Sequence, residues 1–328
     1  MKLESKTTAF VFPGQGSQAV GMGQELAAAY PQAMQVFKEA DEILGFSLSR
    51  LMWEGPDTDL NDTVNTQPAL YLHSFAAQRV LSHLYPDPST GSGQRFLPAS
   101  VAGHSLGEIS ALSGAGALSF GDGLRLVRKR GELMKRAGEL SPGSMAAILG
   151  LDIPSLEKVC AEASVAGEIV QVANDNCPGQ VVISGAGAAV ERAIAGAKAA
   201  GAKRGIPLAV SIAAHSPLMA SIQGEWDQAV DACEIRAPDV PVIGNVHAKP
   251  MTTVDELRAD IKAQMGSRVR WTESVREMLR NGTQAFVEVG SGSVLIGLIR
   301  RIAPSTTDEP DPITFSFGNP RDVEAIGL

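Results

Sequence analysis

Short apolar runs alternating with longer helical patterns predict an α/β protein. Within that alternation, a strand-helix-strand-strand-helix-strand order across residues 141–207 predicts a ferredoxin-like unit set into a larger domain. A third observation fixes where chemistry belongs. The single Gly-x-Ser-x-Gly pentapeptide, Gly103-His104-Ser105-Leu106-Gly107, falls where a predicted strand gives way to a helix.

Taken in order, Thr7–Phe12 is a short buried strand that ends in the Gly-rich turn Pro13–Gln18. Helical periodicity follows over Gly23–Leu44 and Pro68–Leu84, and the Pro/Ser/Gly-rich stretch Tyr85–Gln94 reads as a surface loop. Phe96–Ala102 is a central strand, Gly107–Ala115 a small-residue helix and Gly121–Ala137 an amphipathic helix. The inserted unit starts near Ser141. Its predicted strands are Met145–Leu149, Glu168–Ala173 and Val181–Ser184, its helices Pro154–Ala163 and Ala188–Ala200, and Lys203–Pro207 leads back out. The larger unit resumes with a strand at Leu208–Ile212 and a helix at Leu218–Ala232, which divides the chain into 1–140 with 208–328 and an insert at 141–207. The tail after Pro304 is rich in Pro, Asp and Thr and is expected on the surface.

Composition excludes several classes. A net charge of −8 leaves no general basic surface for nucleic acid. Three cysteines, Cys160, Cys177 and Cys233, without CxxC spacing argue against a disulfide scaffold or structural zinc and fit a reducing compartment. No apolar run reaches the ~20 residues of a membrane span, and the start of the chain has no signal-peptide pattern. A cytoplasmic enzyme with no metal site is expected.

A serine at the tip of a sharp strand-to-helix turn needs glycines beside it, and it sits where the Leu106 N–H points at developing negative charge. Such a serine needs a base, and there are five histidines. His104 adjoins Ser105, so its side chain leaves the turn in another direction; His73 and His83 belong to a helix and His247 to a loop. His215 follows a predicted strand and precedes Ser216-Pro217, an N-cap and first helical residue. The carboxyl end of a strand is where α/β active sites collect. In the helix 121–137, Leu126, Val127, Leu133 and Met134 surround Arg130 on one face, while Arg125, Arg128, Glu132, Lys135 and Arg136 point to water. An arginine in a buried stripe needs an anion, and its planar fork fits a carboxylate. That carboxylate is either a substrate's or an internal Asp or Glu.

The turn Gly14-Gln15-Gly16-Ser17-Gln18-Ala19 also fits a dinucleotide fingerprint. A Rossmann unit, however, requires a second strand ending in an acid about twenty residues on. Glu39, Asp41 and Glu42 instead lie within a continuing helical pattern, so the turn reads better as a loop offering Gln15 as a hydrogen-bond donor.

With these residues placed, the chain resembles the malonyl-CoA:acyl carrier protein transacylases of fatty-acid synthesis and related polyketide acyltransferase domains. The likeness runs from Phe10 to about Ile302 and includes FVFPGQGSQAVGMG, Thr66–Leu70, Gly103–Glu108, Arg128–Gly131, Asn174–Val182, Ala214–Met219, Asn245-Val246 and Glu288–Leu295. The resemblance implies an α/β-hydrolase-like domain carrying the ferredoxin-like insert. It implies Ser105 as nucleophile, His215 as base, Gln15 and the Leu106 N–H as oxyanion donors, and Arg130 as the carboxylate-binding residue. It further implies a backbone carbonyl, at Gln264, orienting the histidine in place of an acid. Gln15, Gln67, His104 and Asn174, each in a shared motif, are carried with Arg130 as substrate-binding candidates. Two departures stand out: Gly290-Ser291-Gly292-Ser293 replaces a common GPGK, and Ala213-Ala214 precede the histidine, which leaves the preferred acyl group open.

The implied reaction moves a malonyl group from malonyl-CoA to the phosphopantetheine thiol of a holo acyl carrier protein through a malonyl-serine. Coenzyme A thioester is then substrate, no cofactor is needed, and a monomer is expected. Carrier proteins are acidic, so Lys135, Arg136, Lys203 and Arg204 are the candidate docking cations. Rival readings are a discrete polyketide acyltransferase with another extender unit, a serine thioesterase or hydrolase, an idle carrier-binding module and a nicotinamide enzyme. A hydrolase would usually place an Asp or Glu on its histidine, and no convincing candidate lies between Ser105 and His215.

Overall fold

The structure, a computed structural model, describes residues 3–85, 96–305 and 310–326. The larger of its two sheets begins with β1 (Thr8–Phe12) and β2 (Ser100–Gly103). The second is built from β3 (Gly143–Leu149), β4 (Val170–Cys177), β5 (Gln180–Ala186) and β6 (Arg204–Pro207). Then β7 (Val242–Ile243), β8 (Pro250–Met251), β9 (Ala285–Val289) and β10 (Ile313–Phe317) complete the first. Its order is β10-β9-β1-β2-β7-β8, parallel throughout except at the β7–β8 edge.

All five residues of β1 are buried, as a parallel strand covered on both faces requires. Phe10 and Phe12 enter one apolar core and Ala9 and Val11 another, so the period of two divides the strand between the two faces of the sheet. Register then sets the site: Phe12 pairs with Gly103, so the loops that follow β1 and β2 emerge side by side.

The second sheet is antiparallel, with order β4-β5-β3-β6. Helices Ile153–Ala163 and Gly187–Ala199 give the chain order strand-helix-strand-strand-helix-strand. Ala146, Ile148, Val181 and Ile183 pack on those helices in a third core, whereas Met145, Ala173 and Val182 join a core of the large sheet's helices. This sheet therefore covers its own helices with one face and closes a cleft with the other.

Several expected elements differ. The helix predicted over Gly23–Leu44 is two, Gln24–Ala29 and Pro31–Leu44, because Pro31 forces Tyr30 into an extended conformation. Glu39, Asp41 and Glu42 lie in the second, so no second nucleotide-binding strand exists there. The helix predicted from Pro68 starts at Thr63, capped by Asp62, and carries Pro68 inside it. Val64 O, which a residue-68 N–H would normally satisfy, accepts instead from Arg128 Nη1 at 3.2 Å. The strand predicted over Phe96–Ala102 is regular only from Ser100, since Pro98 has no N–H to give a ladder. Leu208–Ile212 is not a strand. Its alternating Leu208, Val210 and Ile212 face a cavity, and Val210 N turns back on Leu208 O. The helix predicted over Leu218–Ala232 is a 3-10 turn at Pro217–Ile222 followed by a helix at Gln223–Asp231. The tail after Pro304 is not merely surface chain, for Ile313–Phe317 supplies edge strand β10. The predicted loop Tyr85–Gln94 lies, beyond Tyr85, outside the described residues. No helix among the described residues is long and apolar enough to cross a membrane.

Candidate active site

Ser105 stands two residues past the end of β2 at φ 52°, a left-handed conformation costly for a residue with a Cβ. The flanking glycines make it possible. A Cβ on Gly103 would lie 1.9 Å from the Gly107 backbone, and one on Gly107 would lie 2.1 Å from Phe12 O. Leu106 follows at the head of the helix Gly107–Gly114, so its N–H faces the same space as Ser105 Oγ.

Of the five histidines, His215 alone among the described residues bonds Ser105: its Nε2 is 2.7 Å from Oγ. Its Nδ1 faces two carbonyl oxygens, Gln264 O at 2.9 Å and Ser267 O at 3.1 Å. Two acceptors at Nδ1 require the proton there, which leaves the Nε2 lone pair to accept from the serine hydroxyl. His215 is itself at φ 58°, held by its N–H to Met265 O and by Gln171 Nε2 donating to its carbonyl. Ser216 then caps the following turn, accepting from Leu218 N. Burial above all, with the nearby Arg130 charge second, pushes the His215 imidazole down to about 3.

Arg130 lies in the helix Phe120–Leu140, is only 2% exposed, and meets no carboxylate at ion-pair distance among the described residues. Neutral groups hold it. Nη1 donates to Gln67 Oε1 at 2.9 Å and to Met134 Sδ at 3.3 Å; Nη2 donates to Gln264 Oε1 at 2.8 Å and to Ser105 Oγ at 3.0 Å. Burial lowers its guanidinium to about 10. No Asp or Glu pairs with it directly among the described residues, although the Glu108 carboxyl lies one carboxamide away through Gln264 and supports its charge, and the buried cation opens onto a cavity of about 230 Å³.

That cavity runs between the β1 and β2 loops, the inner face of the antiparallel sheet and the 208–214 segment. Gln15, His104, Ser105, Leu106, Arg130, Asn174 and His215 all reach it. Thr63 Oγ1 donates to Gln15 Oε1 at 3.0 Å, which orients that carboxamide. His104 Nε2 is 2.8 Å from Asn176 Oδ1 and its ring meets Trp271 edge-on, so it is fixed as a wall. Gln67 departs from its expected place. It is fully buried behind Arg130 and does not line the cavity, because its carboxamide is taken up by Arg130, Thr63 and Met134. Gln264 contributes more than its carbonyl, since its side chain joins Arg130 to Ser105 O.

Sequence reasoning gave no role to three residues. Asn245, after β7, accepts from Ser105 N at 2.8 Å and donates to Gly103 O at 2.7 Å, clamping the turn from behind. Ser267 supplies the second carbonyl, and Gln171 anchors the histidine loop. Asn245 was accessible as a polar residue straight after a short apolar run; a backbone oxygen such as that of Ser267 leaves no mark in side-chain identity.

Comparison with known proteins shows what the chain as a whole is similar to. Residues 9–311 match the acyl transferase domain family. The malonyl CoA-acyl carrier protein transacylase of Bacillus subtilis (strain 168) is 46% identical over 313 residues, 94% of this chain and 96% of that protein. The protein of the same name from Escherichia coli (strain K12) is 46% identical over 299 residues, 91% and 94% of the two chains. The crystal structure of an acyl carrier protein S-malonyltransferase from Vibrio cholerae superposes with a TM-score of 0.90 at 42% identity, covering 98% of this chain and 99% of the other. A malonyl-transacylase solved in complex with its type II PKS acyl-carrier protein gives 0.89 at 39% identity, covering 97% and 98%.

Proposed function

The chain belongs to the malonyl CoA-acyl carrier protein transacylase family, and we propose that it moves a malonyl group from malonyl-CoA to the phosphopantetheine thiol of acyl carrier protein through a malonyl-Ser105 intermediate. One observation carries the reading: Ser105 Oγ lies 2.7 Å from a histidine acceptor and 3.0 Å from a buried guanidinium with no acid of its own. The first makes a nucleophile and the second selects a carboxylate.

Ser105 Oγ attacks the thioester carbonyl as its proton passes to His215 Nε2, and the Leu106 N–H and Gln15 receive the oxyanion. The tetrahedral intermediate expels the coenzyme A thiolate, which takes the proton from His215. The carrier thiol enters, gives its proton to His215 and attacks the ester, and the departing Ser105 oxygen takes that proton back from His215. Exchange of thioester for ester and back calls for neither metal nor redox cofactor. Arg130 holds the substrate carboxylate in two-pronged fashion, with Gln67 and Gln264 steadying the fork. A bound carboxylate also offsets the Arg130 charge that depresses His215, so the base strengthens when the right substrate is seated. His104 and Asn174 wall the acyl site.

The element order supports an α/β-hydrolase-like domain of residues 1–140 and 208–328 with a ferredoxin-like insert at 141–207, and we read the enzyme as a cytoplasmic monomer. The two carbonyls behind His215, where a hydrolase of this type would usually place an acid, favour acyl transfer over the serine hydrolase reading. Intact mass tests the central step. Wild type mixed with malonyl-CoA alone gains one malonyl group and Ser105→Ala gains none; equal labelling of both removes Ser105 from the mechanism.

A further inference from the structure

Behind the nucleophile lie two buried carboxyl groups that the transfer mechanism above does not use. Glu108, second residue of the helix Gly107–Gly114, is completely buried. Its Oε1 accepts from Asn245 N at 3.1 Å and its Oε2 accepts from Gln264 Nε2. Gln264 Nε2 also donates to Ser105 O at 2.9 Å, while its Oε1 accepts from Arg130 Nη2 at 2.8 Å. The carboxamide can sit only one way. Turned over, its NH2 would face the Arg130 donor and its oxygen would face the Ser105 carbonyl and the Glu108 carboxyl.

A second carboxyl completes the group. Asp260, one turn before Gln264 in the helix Val254–Gln264, is 2% exposed and neighbours Glu108, since the two accept from the consecutive N–H groups of Val246 and Asn245. Its Oδ2 accepts from Val246 N at 3.3 Å, but its buried Oδ1 meets no donor. Neither acid has an ion-pair partner among the described residues, and two adjacent buried carboxylates cannot both remain charged at reasonable cost. A proton on one of them removes the repulsion. Burial first, and then Asp260, push Glu108 well above the ordinary carboxyl range, in keeping with this.

We propose that Glu108 is a positioning residue for substrate selection, holding Arg130 on the substrate carboxylate through the oriented carboxamide of Gln264, and that Glu108 and Asp260 hold one proton between them. The proposal rests on Arg130 as the seat of the malonyl carboxylate. Glu108→Gln keeps the shape but presents an NH2. The fixed Asn245 N–H claims its oxygen, so the NH2 opposes that of Gln264. Gln264 then either turns over or loses its alignment, and Arg130 loses an acceptor. Asp260→Asn differs: an asparagine NH2 donates to an ionised Glu108 and replaces the shared proton, leaving Gln264 in place.

The test is the ratio of kcat/KM for malonyl-CoA to that for acetyl-CoA in wild type, Arg130→Ala, Glu108→Gln, their double mutant and Asp260→Asn. Glu108→Gln should lower the ratio roughly ten- to a hundredfold, the scale of one hydrogen bond to a charged group, and do so mainly through a higher KM for malonyl-CoA. In the Arg130→Ala background the same change should have no further effect on the ratio. A ratio that falls in Arg130→Ala but is unmoved in Glu108→Gln overturns the proposal while the Arg130 reading stands. A ratio unmoved in Arg130→Ala overturns that reading itself. Asp260→Asn should keep the ratio within a fewfold; a drop matching that of Glu108→Gln overturns the shared proton. Gln264→Leu, which keeps the carbonyl facing His215, carries the same test if Glu108→Gln yields no folded protein: its ratio must fall too, and an unchanged ratio overturns the relay.

Discussion

At the scale of single residues, the site turns on one cation and one imidazole, each held by uncharged neighbours. Arg130 is buried with no acid at ion-pair distance among the described residues, and the proposed mechanism assigns it the substrate carboxylate. Truncating one partner of such a pair costs roughly 2–5 kcal/mol, on the order of thirty- to several-thousand-fold in kcat/KM for malonyl-CoA. Acetyl-CoA lacks the carboxylate, so Arg130→Ala should leave its slow turnover unchanged or improved. Lysine should rescue only in part, because it keeps the charge and loses the fork; steady-state kinetics on the two thioesters check both statements. His215 gives a pH prediction. Its folded value, about 3, lies below the ordinary 6.5, so the base is already neutral across about pH 5 to 8. The pH profile of kcat/KM should therefore show no fall with a midpoint near 6.5 on the acid side, and a clear one there would place the imidazole in contact with water. The sign for stability follows. The unfolded chain takes a proton at this residue below about 6.5 and the folded chain does not, so its contribution is whole above that value and is lost as pH falls towards 3.

At the scale of elements, the strand-to-helix turn is the least tolerant part of the chain. A methyl group on Gly107 would meet Phe12 O at 2.1 Å, and backbone of the central strand has nowhere to go. Gly107→Ala should cost more than the ~1–3 kcal/mol of ordinary overpacking, seen as a lower urea midpoint together with lost transfer; a variant with wild-type stability would mean the turn can open. This turn was readable in the sequence because glycine, serine and helix start all mark it locally. The helix 120–140 was readable because Leu126, Val127, Leu133 and Met134 recur on one face around Arg130. What escaped was set by tertiary partners. Leu208–Ile212 alternates like a strand, yet its apolar side chains face the cavity and it keeps only two backbone bonds to β3, Leu208 N to Met145 O and Gly143 N to Ser211 O, with no regular ladder. Pro68 read as a helix start, although the helix runs through it because Arg128 reaches across to the orphaned carbonyl. The place of Gln67 was not legible for a related cause, since its motif names the residue but not which side of Arg130 it occupies.

At the scale of the whole molecule, charge has to be reconciled with an acidic partner. The chain carries −8, so an acidic carrier protein is repelled at long range and needs a local cationic patch to dock. Four cations were candidates from the sequence, and the fold separates them into two pairs. Lys135 is engaged by Asp62 and Arg136 by Glu225, so each already has a carboxylate against it. Lys203 and Arg204 are exposed at the start of β6, the edge strand of the antiparallel sheet, and neither is in an ion pair among those described. They also lie close in sequence to the cavity, since β6 leads directly into Leu208 on its wall. Two cations without an ion pair among the described residues would offset part of the general repulsion. Reversing both, Lys203→Glu with Arg204→Glu, should slow transfer to the carrier protein several-fold more than transfer to free pantetheine, with the gap narrowing as salt is raised. The same reversal at Lys135 and Arg136 should disturb the Asp62 and Glu225 contacts and lower both acceptors together. Equal slowing of carrier and pantetheine by the first pair would move docking to another face of the molecule.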